Sequence, residues 1–479
     1  MSFVSYQFVV FFAAVLVGLA IMPTQAARLA LLLVANVVFY GAGTPRFLLV
    51  LAIPSLVDYA CAVRMEDTAE PRARRQWLVL SLAVNLGVLV YFKYANFFID
   101  TVASLLHVRT APLDIVLPVG ISFFTFKTMS YTIDVYRGRL RACRSWWRYA
   151  MFVSFFPELV AGPIVRASVL LPQMERPIRL DWHRTMSGMR IILLGVTKKM
   201  LIADRLSTYV DFVFAKPALY SPSAVFVAVI SYSIQIYCDF SGYSDMAVGV
   251  ARIIGFDLPA NFAMPYLSRS ITEFWRRWHI TLSEWLRDYL YIPLGGNRRG
   301  RARTYVNLMI TMLLGGLWHG ANWTFVVWGL LHGVGLAVHK FWLERRSAAW
   351  VARGNGPVAG ALGWLATMSF VSFCWIFFRS PNFEVAWTIL RKLAGLAPGG
   401  VAWTYMPAYL FALLLAGAHA VGVFHGERPQ KSDDRHTGVP AYATAGLPLY
   451  VSAFLATAWL LILYLFIPLH RSPFIYFQF

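Results

Sequence analysis

Two histidines stand in stretches of the chain that are otherwise rich in apolar residues. His279 lies in "FWRRWHITLSEW" (274–285), and His319 lies in "GGLWHGANW" (315–323). An imidazole has a pKa near neutrality, so it can take up and release a proton at physiological pH. An ionisable residue in an apolar segment is by default a functional-site hypothesis. We therefore predict proton-transfer chemistry at these two positions.

The glycines around His319 favour this residue as the general base. Gly315, Gly316 and Gly320 have no side chain, so a ligand can approach the backbone closely there. Two alternatives stay open: His319 is a hydrogen-bonded core histidine beside packing glycines, and His279 is incidental to an interfacial helix.

Four further polar residues in apolar context are weaker candidates. His332 and His339 follow on the next helix, where a histidine more often bonds a neighbouring carbonyl. Asp239 and Asp245 lie in "YCDFSGYSDMAVG" (237–249), where nearby tyrosines, serines and Arg252 offer the partners that buried carboxylates need. The two aspartates are therefore either structural or line a cavity.

His279 is predicted to lie on an amphipathic helix over residues 271–290. Apolar residues recur at helical spacing on one face, and the other face carries Glu273, Arg276, Arg277, Glu284, Arg287 and Asp288. Ser270 and Glu273 form a capping box at the start, and Pro293 with two glycines ends the helix. Because six charges oppose burial at the centre of a bilayer, we expect this helix to lie flat in the interface or line a hydrated cavity.

His279 itself falls at the margin of the apolar face, next to Ser283. A second capping box, Thr281 with Glu284, indicates a break just after His279. We expect this break to expose the imidazole.

The composition places these elements in a membrane protein. Of the 479 residues, 58% are hydrophobic and only 14% are charged, whereas a soluble domain has about 25% charged residues. Apolar runs of roughly spanning length recur at 4–22, 28–41, 46–63, 77–98, 149–162, 187–203, 223–238, 304–318, 321–341, 358–378, 405–424 and 447–468. The first run lacks a basic start and a cleavage pattern, so we predict a retained helix and not a signal peptide.

The fold class that follows is an all-α polytopic membrane protein. We predict about nine to twelve transmembrane helices, with re-entrant and interfacial helices around a central cavity or tunnel. Prolines and glycines in apolar context, as in 117–124 and 156–166, break helices, and such breaks are tolerated where protein or water meets the freed backbone. We expect one continuous domain over 1–479, with the motif core at about 117–340 and C-terminal helices over 358–479.

The net charge of +20 is concentrated in loops. Residues 64–75, 137–148 and 298–303 hold four, five and four arginines, which predicts a cytoplasmic position for these loops. A nucleic-acid partner is excluded because the basic residues lie between membrane segments; lipid head groups and an anionic cytosolic substrate are the remaining partners. The four cysteines form no C-x-x-C pair, and we predict no metal site and no bound cofactor.

These stretches together carry a family resemblance. The residues concerned are 117–138, 156–166, 237–300, 315–333 and "FIYFQF" (474–479). With them the chain resembles the membrane-bound O-acyltransferase family, in particular its bacterial alginate O-acetylation branch. The family's W-H-G histidine falls on His319 and its R-W-H histidine on His279, while Lys127 stands where we expect glutamine.

The resemblance implies an enzyme of the bacterial inner membrane. It would take an acyl group, most simply acetyl, from a cytosolic thioester such as acetyl-CoA or an acyl carrier, and pass it across the membrane for O-acetylation of a polysaccharide such as alginate. An extracytoplasmic acetyltransferase is the implied partner. His319 would be the base and His279 would polarise the thioester or position the acceptor, and the predicted substrate-binding residues are Trp275, Arg276, Ser283, Asn322, Asp239 and Asp245.

Other functions stay open at this point. A transporter or export channel for a polysaccharide or acyl carrier would use His279, His319, Asp239 and Asp245 as a proton relay. Internal repeats, which are common in transporters, are not evident in the sequence. Within the family, a D-alanyl group, peptidoglycan or cellulose are alternative acyl groups and acceptors. The arginines of 276–277 and 298–303 either bind the phosphates of coenzyme A or anchor the protein at the interface.

Overall fold

The computed structural model describes residues 1–43, 45–160, 162–345, 356–424, 457–459, 461 and 472–475. In these residues all regular secondary structure is helical, as predicted, with one isolated bridge between Tyr220 and Val401. The polar stretch "GERPQKSDDRHTG" (426–438), which the sequence predicts to be a linker between the last two apolar runs, lies outside the described residues. Most of the apolar run 447–468 and most of the C-terminal motif 474–479 also lie outside them.

The described helices divide between two compact units. Among the described residues, 1–192 and 244–259 belong to unit 1, and 193–243 with those from 260 onward belong to unit 2. The first ten helices are α1 (Tyr6–Ile21), α2 (Gln25–Gly41), α3 (Phe47–Asp67), α4 (Pro71–Leu89), α5 (Ala95–Leu105), α6 (Ile121–Tyr136), α7 (Trp146–Ser154), α8 (Phe156–Leu159), α9 (Ala167–Glu175) and α10 (Trp182–Val196). A π-helical turn, Val90–Tyr94, joins α4 to α5.

The remaining helices build most of unit 2. They are α11 (Asp204–Ala215), α12 (Pro222–Ile253), α13 (Ile271–Arg277), α14 (Ile280–Leu286), α15 (Arg301–His319), α16 (Trp323–Arg345), α17 (Pro357–Arg379), α18 (Phe383–Leu393) and α19 (Met406–Phe424). The π-helical segments Thr197–Ala203 and Arg287–Tyr291 precede α11 and follow α14. Helix α12 contributes residues to both units.

Five described helices are long and apolar enough to cross a membrane. They are Phe47–Asp67, the composite Pro71–Leu105, Pro222–Ile253, Trp323–Arg345 and Pro357–Arg379. Shorter apolar helices cover Tyr6–Ile21, Gln25–Gly41 and Met406–His419. Large apolar side chains are exposed on these elements, as on Tyr6 (80%) and Leu413 (73%), which fits contact with lipid. The number of crossings and the re-entrant segments stay predictions.

The core of unit 2 is built from aromatic side chains of α12, α13, α16 and α17. Trp278, Trp328 and Trp375 are each 1% exposed and contact one another in a row, with ring centroids 5.1 and 5.8 Å apart. Aromatic rings bury large areas with few rotatable bonds. They therefore give the polar groups among them a well-defined position.

Candidate active site

His279 and His319 meet in the interior of unit 2. Their ring centroids are 6.4 Å apart with an interplanar angle of 60°, and the two residues are 0% and 3% exposed. His319 is the last residue of α15, because Gly320 turns to an extended conformation (φ −155°) and ends the helix. His279 lies in the turn between α13 and α14. The structure thus brings together the two histidines that the sequence singled out.

The predicted helix 271–290 is interrupted at His279. The Ser270 hydroxyl accepts a hydrogen bond from the Glu273 N–H (3.2 Å) and starts α13 as predicted. His279 adopts a left-handed conformation (φ +42°, ψ +55°), so the single continuous helix was wrong and the predicted break is confirmed. The second capping box is not formed, because His279 is the N-cap of α14 and the Thr281 hydroxyl donates to Asn261. We expected the break to expose the imidazole, but the imidazole is buried. The turn directs it against Phe240, whose ring centroid is 4.7 Å away.

Asn261 holds the ring of His279. Its side-chain oxygen lies 3.1 Å from His279 Nδ1 and also accepts from the backbone N–H (3.3 Å) and the hydroxyl (3.0 Å) of Thr281. Because a backbone N–H can only donate, the Asn261 atom is the carbonyl oxygen, and His279 Nδ1 carries a proton. A backbone bond from the Ile280 N–H to the Asn261 carbonyl (2.9 Å) fixes the same pair of segments.

Burial keeps His279 neutral at physiological pH. Desolvation lowers the pKa of His279 from 6.5 to about 3. With one proton on Nδ1, the neutral ring has its lone pair on Nε2. His279 is therefore built to accept a hydrogen bond or a proton at Nε2, and it is not a donor at that atom. This geometry favours positioning of an acceptor hydroxyl over polarisation of a carbonyl.

A third histidine belongs to the same cluster. His332 of α16 is fully buried, and its ring centroid lies 4.7 Å from that of Trp328, which in turn lies 5.0 Å from His319. The partner of His332 Nδ1 is the Trp275 indole N–H (3.3 Å) and not a carbonyl as expected. His339, the other weak candidate, bonds the Thr272 hydroxyl through Nδ1 (2.8 Å). Within the described residues, no three His, Cys, Asp or Glu side chains lie close enough to hold a metal ion.

The glycines beside His319 serve helix packing. A Cβ on Gly316 would overlap the carbonyl oxygen of Phe325, and a Cβ on Gly320 would overlap the Phe325 ring. Likewise, a Cβ on Gly329 would overlap the carbonyl oxygen of Met312. The expectation that Gly316 and Gly320 leave space for a ligand was therefore wrong, since α16 fills that space. Close packing of α15 on α16 fixes His319 beside Trp328.

Replacing Gly329 with alanine is expected to destabilise unit 2. The added methyl group must displace the α15 backbone, and such overpacking lowers the free energy of unfolding by about 1–3 kcal/mol. Thermal unfolding in detergent measures the loss. Gly87→Ala is the matched control, because a Cβ there meets nothing within 4 Å on helix α4 and alanine is the better helix former. Equal unfolding temperatures for the two variants would contradict the close packing.

Asp239 lies in a buried ion cluster. Its carboxylate is 2.6 Å from Lys199 Nζ, which is also 2.8 Å from Asp204, and all three side chains are below 5% exposed. Asp239 accepts a further bond from the Ile475 N–H (2.8 Å), and Lys199 donates to the Ser472 carbonyl (3.0 Å). The expectation that tyrosines, serines or Arg252 satisfy Asp239 was wrong, and Arg252 pairs with Asp257 instead (2.9 Å).

The other predicted substrate-binding residues occupy different settings. Ser283 is half-buried and donates to the Trp278 carbonyl (3.3 Å), and Arg276 is exposed on α13. Asn322 accepts from the Thr324 N–H (3.0 Å) at the start of α16 and donates to the Pro381 carbonyl (2.9 Å). Asp245, half-buried on α12, falls in unit 1. Contact with a substrate stays a prediction for all of them.

The arginines expected at a phosphate divide into two groups. Arg277 is engaged within the fold, because it pairs with Glu273 (2.8 Å) and donates to the Ala263 carbonyl (3.2 Å). Residues 298–303 are exposed along their whole length, and Arg301 is 3.5 Å from Glu344.

Lys127, which departs from the expected glutamine, forms a buried ion pair with Glu158 in unit 1. It also donates to the Phe152 carbonyl. The pair borders a small pocket, whose other lining residues are Phe123, Phe124, Val153, Leu159, Pro163 and Ile164.

The chain is similar in sequence to known membrane acyltransferases. The family model described as "MBOAT, membrane-bound O-acyltransferase family" matches residues 139–380. A probable alginate O-acetylase of Pseudomonas aeruginosa is 41% identical over 406 residues, which are 82% of this chain and 75% of the relative. The chain belongs to the membrane-bound O-acyltransferase family. It is therefore a multi-pass membrane protein and an O-acyltransferase.

Other relatives in the family differ in their named activity. A peptidoglycan O-acetyltransferase of Helicobacter pylori is 37% identical over 391 residues, covering 76% of this chain and 73% of the relative. A teichoic acid D-alanyltransferase of Bacillus subtilis is 27% identical over 285 residues, covering 57% and 71%. His279, His319, His332 and Asn261 all lie inside the range matched by the family model.

Sequence reasoning missed Asn261, Lys199 and Trp328. Lys199 carried a usable signal, since a lysine inside the apolar run 187–203 needs a buried partner. Asn261 and Trp328 carried none, because their contacts join segments that are far apart in the sequence.

Proposed function

We propose that this membrane-bound O-acyltransferase takes an acetyl group from a cytosolic thioester, acetyl-CoA or an acyl carrier, and passes it across the bacterial inner membrane to a hydroxyl, for O-acetylation of an extracytoplasmic polysaccharide such as alginate. The observation that carries the proposal is the contact of His279 and His319 in one buried aromatic cluster. The printed name of the Pseudomonas aeruginosa relative supports acetyl and alginate.

His319 is the general base of the proposed reaction. It takes the proton of the acceptor hydroxyl while the hydroxyl oxygen attacks the thioester carbonyl carbon. The tetrahedral intermediate then loses its C–S bond, and the thiolate of coenzyme A leaves with the proton from His319. The rings of Trp318, Trp328 and Phe378, at 5.0, 5.0 and 5.3 Å, surround His319 and limit water that would hydrolyse the thioester.

His279 positions the acceptor. Its Nε2 lone pair accepts a hydrogen bond from a second hydroxyl of the acceptor, and the Asn261 carbonyl holds the ring in that orientation. Ser283, which follows the same turn on α14, is proposed to extend this surface.

The exposed arginines are proposed to meet the phosphates of the donor. Arg276 and the arginines of 298–303 are exposed, and a guanidinium forms charge-assisted hydrogen bonds with phosphate oxygens. An extracytoplasmic acetyltransferase is the proposed partner for the assembled polymer, whereas transfer to a short soluble oligosaccharide is proposed to need this protein alone.

An assay with three thioesters tests this proposal. The purified protein in lipid nanodiscs is incubated with radiolabelled acetyl-CoA, butyryl-CoA or a D-alanyl-loaded acyl carrier protein, together with oligomannuronate, and label is followed in the sugar. Label transferred from acetyl-CoA supports the proposal. Transfer only from the D-alanyl carrier would contradict acetyl as the transferred group and would favour the activity named for the Bacillus subtilis relative. Transport of labelled oligosaccharide into proteoliposomes without thioester cleavage would overturn it.

A further inference from the structure

His332 carries a buried hydrogen-bond donor within the aromatic cluster. The Trp275 indole N–H donates to His332 Nδ1 (3.3 Å), and an indole N–H has no acceptor capacity. The neutral imidazole of His332 therefore carries its proton on Nε2. Within the described residues this Nε2 atom is buried and has no hydrogen-bond acceptor.

Trp328 presents a second donor beside it. Its indole Nε1 is also buried and lacks an acceptor in the part of the chain that the structure describes. The Trp328 ring lies 4.7 Å from His332 and 5.0 Å from His319, between centroids. Of the other rings packed on these residues, Phe274, Phe370 and Phe378 offer no oxygen or nitrogen acceptor. The Trp375 indole N–H can only donate, and the acceptor nitrogen of His319 is the atom that takes the hydroxyl proton in the proposed reaction. A buried N–H that stays unbonded costs free energy, so two of them side by side indicate an acceptor from outside the chain.

We propose that the ring N–H groups of Trp328 and His332 bind the carbonyl oxygen of the acyl group and stabilise the oxyanion of the tetrahedral intermediate. The inference rests on the proposed function. When the acceptor hydroxyl oxygen bonds to the carbonyl carbon, its proton passes to His319 and the C=O electron pair moves onto oxygen. The two donors then face a full negative charge in a dry site, where such bonds are strongest. When the C–S bond breaks, the carbonyl is restored and the thiolate takes the proton from His319.

The arrangement assigns the donors and acceptors of the site to different residues. His279 has its lone pair on Nε2, so it accepts a hydrogen bond from a hydroxyl of the acceptor. His332 has its proton on Nε2, so it donates a hydrogen bond to the carbonyl oxygen of the acyl group. The two tautomers are fixed by different partners, the Asn261 oxygen and the Trp275 N–H. Trp275, predicted to bind substrate, thereby becomes a positioning residue for His332.

Substitution of Trp328 with phenylalanine tests the proposal. The variant keeps a ring but removes the N–H, and kcat for transfer from acetyl-CoA is expected to fall on the order of 10²-fold with little change in KM. Trp364→Phe is the matched control, because the Trp364 N–H donates to the Tyr266 carbonyl (2.7 Å) away from the histidines. Its kcat is expected to stay at the wild-type value. Equal kcat for Trp328→Phe and wild type would overturn the inference and leave the proposed function standing.

A second donor substrate separates an oxyanion role from a structural one. In coenzyme A dithioacetate, sulfur replaces the carbonyl oxygen, and sulfur is a weak hydrogen-bond acceptor. Trp328→Phe is expected to lower its rate only a few-fold, so that the two changes are not additive. Equal losses with both substrates would mean that Trp328 serves packing, or that its N–H binds an ordered water, and would overturn the inference. If the wild-type protein transfers no acetyl group at all, the proposed function fails first.

His332 gives an independent pair of variants if Trp328→Phe does not fold. His332→Gln keeps an N–H donor, whereas His332→Leu removes it. With acetyl-CoA, the kcat of His332→Gln is expected to be about tenfold higher than that of His332→Leu. With the dithioester, the kcat values of the two variants should be equal. Identical kcat values for the two variants with acetyl-CoA would contradict a donor role.

Discussion

Replacement of His319 with glutamine is expected to lower kcat for acetyl transfer by about 10³-fold or more, because the reaction loses its general base. Glutamine keeps a polar side chain of similar size at the end of α15, so folding should be preserved. Binding of the thioester is expected to be unchanged, since the proposed phosphate contacts lie on Arg276 and the loop 298–303. Rates of CoA release and of label transfer, measured on the same preparation in nanodiscs, give the two steps separately.

His339→Gln is the matched control for this substitution. His339 is the same residue type on α16, but it is half-buried and bonded to the Thr272 hydroxyl. Its variant is expected to retain wild-type kcat. A His319→Gln variant that is as active as His339→Gln would remove the proposed base from the mechanism.

Replacement of His279 with phenylalanine is expected to lower kcat by about 10²–10³-fold. A phenyl ring keeps the packing against Phe240 (4.7 Å) and Trp318 (6.0 Å) but offers no lone pair to the acceptor. Asn261 still accepts its two bonds from Thr281, so the turn should survive. The loss should appear in transfer to oligomannuronate and in the KM for that acceptor, with an unchanged KM for acetyl-CoA.

The variant Asn261→Asp tests the same role through pH. The shape is kept, but a carboxylate beside His279 Nδ1 favours the imidazolium and raises the pKa of His279 from about 3. Protonation fills the Nε2 lone pair, so activity should be lost on the acid side of the pH–rate profile at a higher pH than in the wild type. Superimposable profiles of kcat between about pH 5 and 8 would show that the protonation state of His279 does not matter.

The sequence predicted the two central histidines because ionisable groups in apolar surroundings are costly and therefore informative. It also predicted the start of α13, since the Ser270 cap is local, and it predicted a break at His279, although the Thr281 capping box that indicated the break is not formed. It did not predict the burial of the imidazole. That outcome depends on Asn261, 18 residues earlier in the chain, and on the ring of Phe240, and a pattern of period 3.6 contains no information about such contacts.

The glycines of "GGLWHG" show a prediction of ligand space that was wrong. A bare backbone allows close approach of either a ligand or a neighbouring helix, and the sequence does not distinguish them. In the structure α16 takes the place beside Gly316, and that contact sets His319 against Trp328. His332 was predicted to bond a neighbouring carbonyl and was therefore treated as a weak candidate. Its partner is instead the Trp275 indole N–H of α13, a contact between segments that are far apart in the sequence.

A single-turnover experiment with purified protein in nanodiscs tests the role of His319 as general base. Wild type, His319→Gln and His339→Gln are mixed with radiolabelled acetyl-CoA and oligomannuronate, and label on the sugar hydroxyls is quantified over time. We predict equal, acceptor-dependent transfer by wild type and His339→Gln, with about 10³-fold slower transfer by His319→Gln. Transfer by His319→Gln at the wild-type rate would contradict the assignment of His319 as the base.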